Sequence, residues 1–221
     1  MASDGPLILA FDTAEARCAA ALLAGDRLLA HRDEAMARGQ AERLLPMLEE
    51  ILRDAGIPWG GVDAIAVGTG PGNFTGVRIA VAAARGLAMA LSRPAIGVSR
   101  FEALAEGFPG DVLASVADRQ DHCLLQLLRD GTALGAPFAI EAAADLPRGC
   151  DLLCLGHRAG RLAAELECRA GAEDTRTDPR RLARVAAARL GGATGRPAPL
   201  YLRPADAHPP REPRPMLIDV A

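Results

Sequence analysis

The 221-residue chain contains no lysine, and all 25 of its basic residues are arginine. A mechanism that needs a lysine amine, such as a Schiff base or a P-loop, is therefore excluded. Aromatic residues make up only 3% of the chain, which disfavours a base-stacking platform for nucleic acid. The formal net charge of −3 also lacks the basic excess with which a domain binds nucleic acid by itself.

Metal-binding and redox motifs are missing as well. The four histidines never occur in H-x-x-x-H spacing, and the five cysteines include no C-x-x-C pair. These are the spacings that bring metal ligands together on a helix or in a turn. We therefore expect no metal site and a reducing, cytoplasmic environment for the thiols. Arginine interrupts every long apolar run, so the sequence also predicts no membrane span.

The first half of the chain alternates short apolar segments with helical patterns. Residues 7–11 predict a buried strand, and residues 18–32 predict two more strands joined by a Gly25-Asp26 turn. Helices are predicted over 40–55 and 76–91, each followed by a short strand. A three-stranded meander followed by alternating helices and strands predicts an α/β fold with a mixed sheet, of the ribonuclease-H-like type.

The second half begins with the same plan, which predicts two small lobes of mixed sheet plus helices, related by an internal duplication. Later segments predict a strand near 152–155 and two helices. We place an N-terminal lobe at 1–105 and a smaller C-terminal lobe at 106–198. A return segment and a proline-rich tail, which we expect to be partly disordered, occupy 199–221.

The segment "AVGTGPGNFTGVR" at 66–78 carries the densest group of glycines. It fits neither G-x-x-x-x-G-K-[ST] nor G-x-G-x-x-G, so it is neither a Walker loop nor a dinucleotide fingerprint. Two interpretations remain. Its backbone N–H groups bind an anion at the helix start, or the loop is a tight strand-to-helix connection packed against a neighbour.

Asp12 and Thr13 close the first predicted strand. Carboxylate and hydroxyl oxygens suit magnesium or its bound water beside a nucleotide. The alternative is a turn in which the Asp12 side chain accepts a local backbone N–H.

The helix predicted over 76–91 carries only Arg78 and Arg85 as charged residues. An almost entirely apolar helix is covered either by its own chain or by a partner protein.

Several segments resemble, in chain order, the bacterial TsaB (YeaZ) family: "ILAFDTA", "CAAALL", "LLPMLEEIL", "DAIAVGTGPGNFTGVRIAVAAARGLAMAL", "AIGVS" and "PLYLR". The G-x-G-P-G-[SN]-F-T-G-x-R segment is the most specific of these. The resemblance implies an actin-like (ASKHA) fold and a non-catalytic scaffold role. With the TsaD catalytic subunit and the TsaE ATPase, such a subunit completes transfer of a threonylcarbamoyl group to N6 of the adenosine beside the tRNA anticodon. The resemblance implies that tRNA is contacted only through that complex.

The resemblance also implies that the first two helices form the TsaD contact, and that the same face pairs two copies of the chain when TsaD is absent. The positions that match the family interface are Leu44, Leu48, Ile51, Leu52, Arg78, Ile79, Ala82, Ala83, Arg85, Gly86 and Met89.

For nucleotide, the resemblance leaves two alternatives. Asp12, Thr13, Gly70 and Gly72 form a remnant site, or they still contact ATP or ADP at the TsaD interface. The family aspartate of the second lobe is replaced here by Ala117, which weakens any nucleotide contact from that lobe. No catalytic residue and no metal ligand is implied. The competing functions are an independent actin-like small-molecule phosphotransferase and a metallopeptidase, and the latter lacks metal ligands and a nucleophile.

Overall fold

The computed structural model describes residues 5–117, 122–139, 146, 148–149, 151–192 and 195–202. Its elements in the first half are β1 (Leu7–Asp12), β2 (Arg17–Ala24), β3 (Arg27–Ala35), α1 (Gln40–Asp54), β4 (Ala64–Gly68), α2 (Phe74–Leu91), β5 (Ala95–Val98) and α3 (Arg100–Ala105). Those in the second half are β6 (Asp111–Ala117), β7 (Cys123–Arg129), β8 (Thr132–Ala133), β9 (Phe138–Ala139), β10 (Leu152–Gly156), α4 (Ala159–Leu166), β11 (Arg169–Ala170) and α5 (Pro179–Arg189).

The first sheet has the strand order β3-β2-β1-β4-β5. Strands β1, β2 and β3 pair antiparallel, whereas β4 and β5 run parallel to β1. The parallel strands are reached through α1 and α2, because a parallel pair needs a crossover connection. Strand β1 is apolar on both sides: Leu9 and Phe11 face α1 and α2, while Ile8 and Ala10 face α5. This explains the uninterrupted apolar run at the start of the chain.

The second sheet repeats that order as β8-β7-β6-β10-β11, with β9 beside β7. Strands β6 and β7 are antiparallel, and β10 and β11 follow in parallel. Helix α3 covers one face and α4 the other. The predicted internal duplication and the two-sheet α/β fold are therefore confirmed.

Two helices pack on the sheet of the other half of the chain, across the predicted lobe boundary at residue 105. Helix α5 lies in the second half of the chain but packs on the first sheet, where Leu182, Ala183 and Ala186 contact β1 and its neighbours. Helix α3 lies before the boundary but packs on the second sheet through Phe101 and Leu104. Each lobe thus takes a helix from the other half of the sequence. A helix packs where its apolar side covers an apolar face of a sheet, whatever its position in the chain.

Helix α3 itself was not expected from the sequence. It begins with a capping box in which the Ser99 hydroxyl accepts from the Glu102 N–H at 3.2 Å and the Glu102 carboxylate accepts from the Ser99 N–H at 2.7 Å. The S-x-x-E spacing at 99–102 was the available signal for this helix.

Helix α1 turns its leucine-rich face inward. Leu44, Leu48, Ile51 and Leu52, four of the expected TsaD contacts, are almost completely buried in the core between α1 and the first sheet. Their assignment as contact residues needs correction, since side chains buried in their own chain present no surface to a partner. The 3.6-residue periodicity identified the apolar face correctly, but it cannot distinguish a core from an interface.

Because Leu48 is fully buried and Leu45 is about half exposed on the same helix, the two leucines form a matched pair. We expect Leu48→Ala to lower the free energy of unfolding by about 2–5 kcal/mol. Leu45→Ala should change it by no more than about 0.5 kcal/mol. Urea denaturation of the two variants measures the difference, and similar losses in both would contradict the core assignment of Leu48.

Candidate functional site

The Asp12 side chain is completely buried at the end of β1. One carboxylate oxygen accepts the Ala14 N–H at 2.9 Å, as the local-turn interpretation predicts. The other, Oδ2, is buried without a hydrogen-bond partner in the described structure and lies against Gly68. Burial raises the pKa of Asp12 from its usual 3.8 to about 6, and the nearby Glu15 carboxylate adds to the effect. Burying a carboxyl group in this way lowers the stability of the fold. Carboxyl groups with such shifted pKa values are common at functional sites.

The glycine loop is packed tightly against the turn at residues 12–14. A Cβ on Gly76 would lie 1.9 Å from the Thr13 carbonyl oxygen, and one on Gly72 would lie 2.6 Å from the Ala14 oxygen. The Thr13 hydroxyl donates to the Gly76 carbonyl at 2.7 Å, so it is already engaged within the chain. This geometry favours the tight-connection interpretation of the loop, because its glycines admit backbone from the same chain.

Gly70, another of the four residues expected in a nucleotide site, is buried with a positive φ of 86°. Its carbonyl accepts the Arg100 N–H at 2.8 Å. Asn73 caps α2, and its side-chain oxygen accepts from the Thr75 and Gly76 N–H groups. Two of the first backbone donors of the helix are therefore engaged by this cap.

Residues 171–178, which we call the crossover segment, run from β11 to α5 and are bonded to the start of the first lobe. The Glu15 carboxylate accepts from Arg17 at 3.2 Å, Arg100 at 3.0 Å and the Thr177 N–H at 3.0 Å. Arg100 also donates to the Thr175 carbonyl at 2.7 Å, and Arg17 donates to the Thr177 carbonyl. Both guanidinium groups are almost buried. Mostly buried ion pairs bonded to backbone in this way fix geometry.

Together these contacts decide what the Asp12 region can do. Asp12 and Thr13 have no exposed surface, and Gly72 alone of the four expected nucleotide-site residues is exposed. In this conformation the residues do not fit a nucleotide or its metal, so we derive no chemical step from them. Within the described residues no group of three His, Cys, Asp or Glu side chains could hold a metal ion.

Helix α2 presents a different kind of surface. One side packs on the first sheet through Val77, Ala80, Val81 and Ala84. The opposite side is exposed, and Met89 is 84% accessible. We call this side the α2 outer face; it comprises Phe74, Arg78, Ala82, Arg85, Gly86 and Met89, with Tyr201 at its margin. All expected α2 contact residues lie on it, except Ile79 and Ala83, which are half-buried at its edge.

The two arginines of α2 donate to residues near position 200, one before and one within the return segment. Arg78 stacks 3.6 Å above the Phe74 ring and donates to the Tyr201 hydroxyl at 2.7 Å. Arg85 donates to the Pro197 carbonyl at 2.8 Å. Sequence reasoning missed Phe74 and Tyr201 as part of this surface, because 127 positions separate them. The isolated tyrosine in "PLYLR" was the available signal.

By length and composition, α2 is also the one helix among the described residues that could cross a membrane, and 28% of it is buried. Its arginines bind residues of the same chain, and its inner side forms part of the core. A core helix with one uncovered side passes the same compositional test. The composition of α2 therefore fits a core helix whose outer side is exposed.

Comparisons with known proteins agree with this architecture. A structure of YeaZ from Pseudomonas aeruginosa superposes with a TM-score of 0.67 at 32% identity, covering 89% of this chain and 100% of that one. An uncharacterized Mycobacterium tuberculosis protein is 34% identical over 204 residues, covering 91% of this chain and 94% of its own length. The Escherichia coli protein TsaB is 43% identical over 100 residues, which are 45% of this chain and 43% of that protein.

The profile of the TsaD family, tRNA N6-adenosine threonylcarbamoyltransferase, matches residues 33–118. The duplicated mixed sheet with helices on both faces is an actin-like fold. Within that class, the chain belongs to the TsaB (YeaZ) family, as the resemblance predicted. The second-lobe departure from the family pattern is only partly visible: Ala117 ends β6, whereas Asp118 and Arg119 lie outside the described residues.

Two glycines of α2 test the close approach of the loop to the 12–14 turn. Gly76→Ala places its Cβ against backbone, so we expect a loss of at least about 2 kcal/mol in the free energy of unfolding. Gly86→Ala meets nothing within 4 Å and should gain about 0.5–1 kcal/mol from helix propensity. Chemical denaturation of both variants gives the comparison, and a neutral Gly76→Ala would refute the packed loop.

The buried Asp12 carboxyl predicts a pH dependence. Its folded-state pKa of about 6 lies above the unfolded value, so the folded chain holds the proton more tightly. Asp12 therefore costs stability as pH rises from about 4 to 6, by about 3 kcal/mol in total. Asp12→Asn lacks this titration, so its stability relative to wild type should rise across that window. Urea unfolding at several pH values measures the difference, and a difference independent of pH would contradict the assignment.

Proposed function

We propose that this chain is the non-catalytic partner subunit of a TsaD-type enzyme in tRNA threonylcarbamoyladenosine formation. The E. coli relative carries the name tRNA threonylcarbamoyladenosine biosynthesis protein TsaB. The TsaD profile matches residues 33–118 of this chain, most of which belong to the first lobe, so the two subunits share a fold. In this proposal the chain and TsaD form a heterodimer through related lobes, TsaE joins the complex as its ATPase, and all three act in the cytoplasm.

The observation that carries the proposal is the α2 outer face. It combines an exposed methionine and small residues with an Arg78–Phe74–Tyr201 cluster in which both rings are about half exposed. Aromatic residues, arginine and methionine are enriched at protein interfaces, and small residues let a partner helix approach closely. A groove of about 290 Å³ between the starts of α1 and α2, lined by Gly39, Asn73 and Ile79, adjoins this face.

The site chemistry supports a non-catalytic role. The sequence contains no H-x-x-x-H metal pair, and the Asp12 turn is covered by the glycine loop and tied to the crossover segment. The net charge of −3 gives little attraction for tRNA phosphates, so in this proposal the tRNA is bound through the complex.

An omission assay tests the proposed function. The cognate TsaD, TsaE and adenylate-forming enzymes are combined with tRNA, threonine, bicarbonate and ATP, and the modified nucleoside is quantified by mass spectrometry. We expect product only when both this chain and TsaD are present. Equal product without this chain would reject the proposal, and so would product when this chain replaces TsaD.

A charge placed on the α2 outer face should separate assembly from folding. Ala82→Arg introduces a cation at the centre of that face, where burial against a partner would leave the charge unpaired. We expect at least a tenfold loss of affinity for TsaD by calorimetry, with an unchanged melting temperature. The matched control is Leu134→Arg, which alters an exposed apolar residue beside β8 in the other lobe. Equal affinities for the two variants would place the interface elsewhere.

The second candidate function is that of an independent actin-like phosphotransferase, with ATP bound by the Asp12 region. Asp12 Oδ2 favours it, because a buried carboxylate oxygen without a protein partner is a ready ligand for water or an ion. This alternative requires the crossover segment and the glycine loop to move away from Asp12. ATP hydrolysis by the highly purified chain that is abolished by Asp12→Asn would support the phosphotransferase. If the chain hydrolyses no ATP, this alternative is rejected.

A further inference from the structure

Two cysteines of the second lobe lie side by side. The Sγ atoms of Cys154 and Cys168 are 3.5 Å apart. Cys154 is buried in the middle of β10, and Cys168 is partly exposed between α4 and β11. The chain between them consists mainly of α4, so the two thiols are distant in sequence but in contact in the fold.

The backbone holds both cysteines in place. The Cys168 N–H donates to the Ala163 carbonyl at 3.0 Å, which closes the end of α4. The Cys154 carbonyl accepts the Gly171 N–H at 2.8 Å, which ties the residues after Cys168 to β10. A disulfide bond has an S–S length near 2.05 Å, so the sulfurs need to approach by about 1.5 Å. Cys168 lies in the connection between α4 and β11, so rotation of its side chain can supply such a movement without breaking the sheet.

We propose that Cys154 and Cys168 form a reversible intramolecular disulfide by exchange with a small-molecule disulfide such as oxidised glutathione. The partly exposed Cys168 thiolate attacks the small molecule, which gives a mixed disulfide and releases one reduced glutathione. The Cys154 thiol, deprotonated as it attacks, then displaces the second glutathione from Cys168. Two protein thiols are thereby oxidised, and one oxidised glutathione is reduced to two thiols, which take up the two protons. Excess reduced thiol reverses both steps.

The fold favours this pair over the other cysteines it describes. Cys18 lies fully buried in the first lobe, and burial raises the pKa of its thiol to about 12, which keeps it in the unreactive form. Cys123 is buried at the start of β7, where its sulfur lies 3.8 Å from the His157 carbonyl oxygen. Cys150 lies outside the described residues, and its closeness to Cys154 in the sequence makes it the competitor that an experiment has to exclude.

Peptide mapping tests the proposal on the full chain. The reduced protein is incubated with oxidised glutathione, alkylated under denaturing conditions without reductant, and digested with trypsin, which here cuts only at arginine. Cys154 falls in the peptide GCDLLCLGHR and Cys168 in LAAELECR. We expect these two peptides joined through Cys154 as the main product. The peptides CAAALLAGDR and QDHCLLQLLR should be recovered fully alkylated.

Variants and a denatured control identify the pairing. Cys150→Ser should form the same linked peptide at an unchanged rate, and Cys168→Ser should not form it. Oxidation in guanidinium should give a mixture of pairings, because the fold no longer selects one. Linkage of Cys168 to Cys150, linkage between two chains, or full alkylation of Cys154 and Cys168 in the oxidised native protein would each overturn the proposal.

Discussion

Backbone-to-backbone contact between the turn at residues 12–14 and the start of helix α2 governs the rest of the first lobe. The Ala14 carbonyl accepts the Asn73 N–H at 2.6 Å, and the Thr13 carbonyl lies where a side chain on Gly76 would be. Only glycine permits such an approach, so the loop fixes both the position of α2 and the burial of Asp12. The same contact that seats the inner side of α2 leaves its outer side uncovered.

The proposed function therefore depends on the α2 outer face and not on the Asp12 region. Near Asp12, the side chains of Glu15, Arg17 and Arg100 join the crossover segment to the first lobe through mostly buried, charge-assisted hydrogen bonds. The Asp12 carboxyl group is buried close to these side chains, although its burial lowers the stability of the fold. On the surface, the outer side of α2 is exposed: Met89 is 84% accessible, and Phe74 and Tyr201 are about half exposed. An actin-like fold can thus serve as a binding subunit, because activity depends on the site and not on the fold.

Sequence reasoning recovered what periodicity and backbone chemistry determine. The bounds of α1, the duplicated strand order and the family followed from local patterns. It failed where the outcome depends on distant packing. Leu48 has the same spacing in a core helix as in an interface helix, and only the tertiary structure shows it buried. Neither the assignment of α5 to the first sheet nor the pairing of Tyr201 with Arg78 has a signal within a short window.

Site-specific photo-crosslinking in the assembled complex would show directly which surface of this chain contacts TsaD. A photoreactive amino acid at position 89, on the α2 outer face, is compared with one at position 134, an exposed apolar site in the other lobe. The account predicts covalent attachment of the TsaD subunit from position 89 and none from position 134. Attachment from position 134 alone, or from neither position in a complex that is catalytically active, would contradict it.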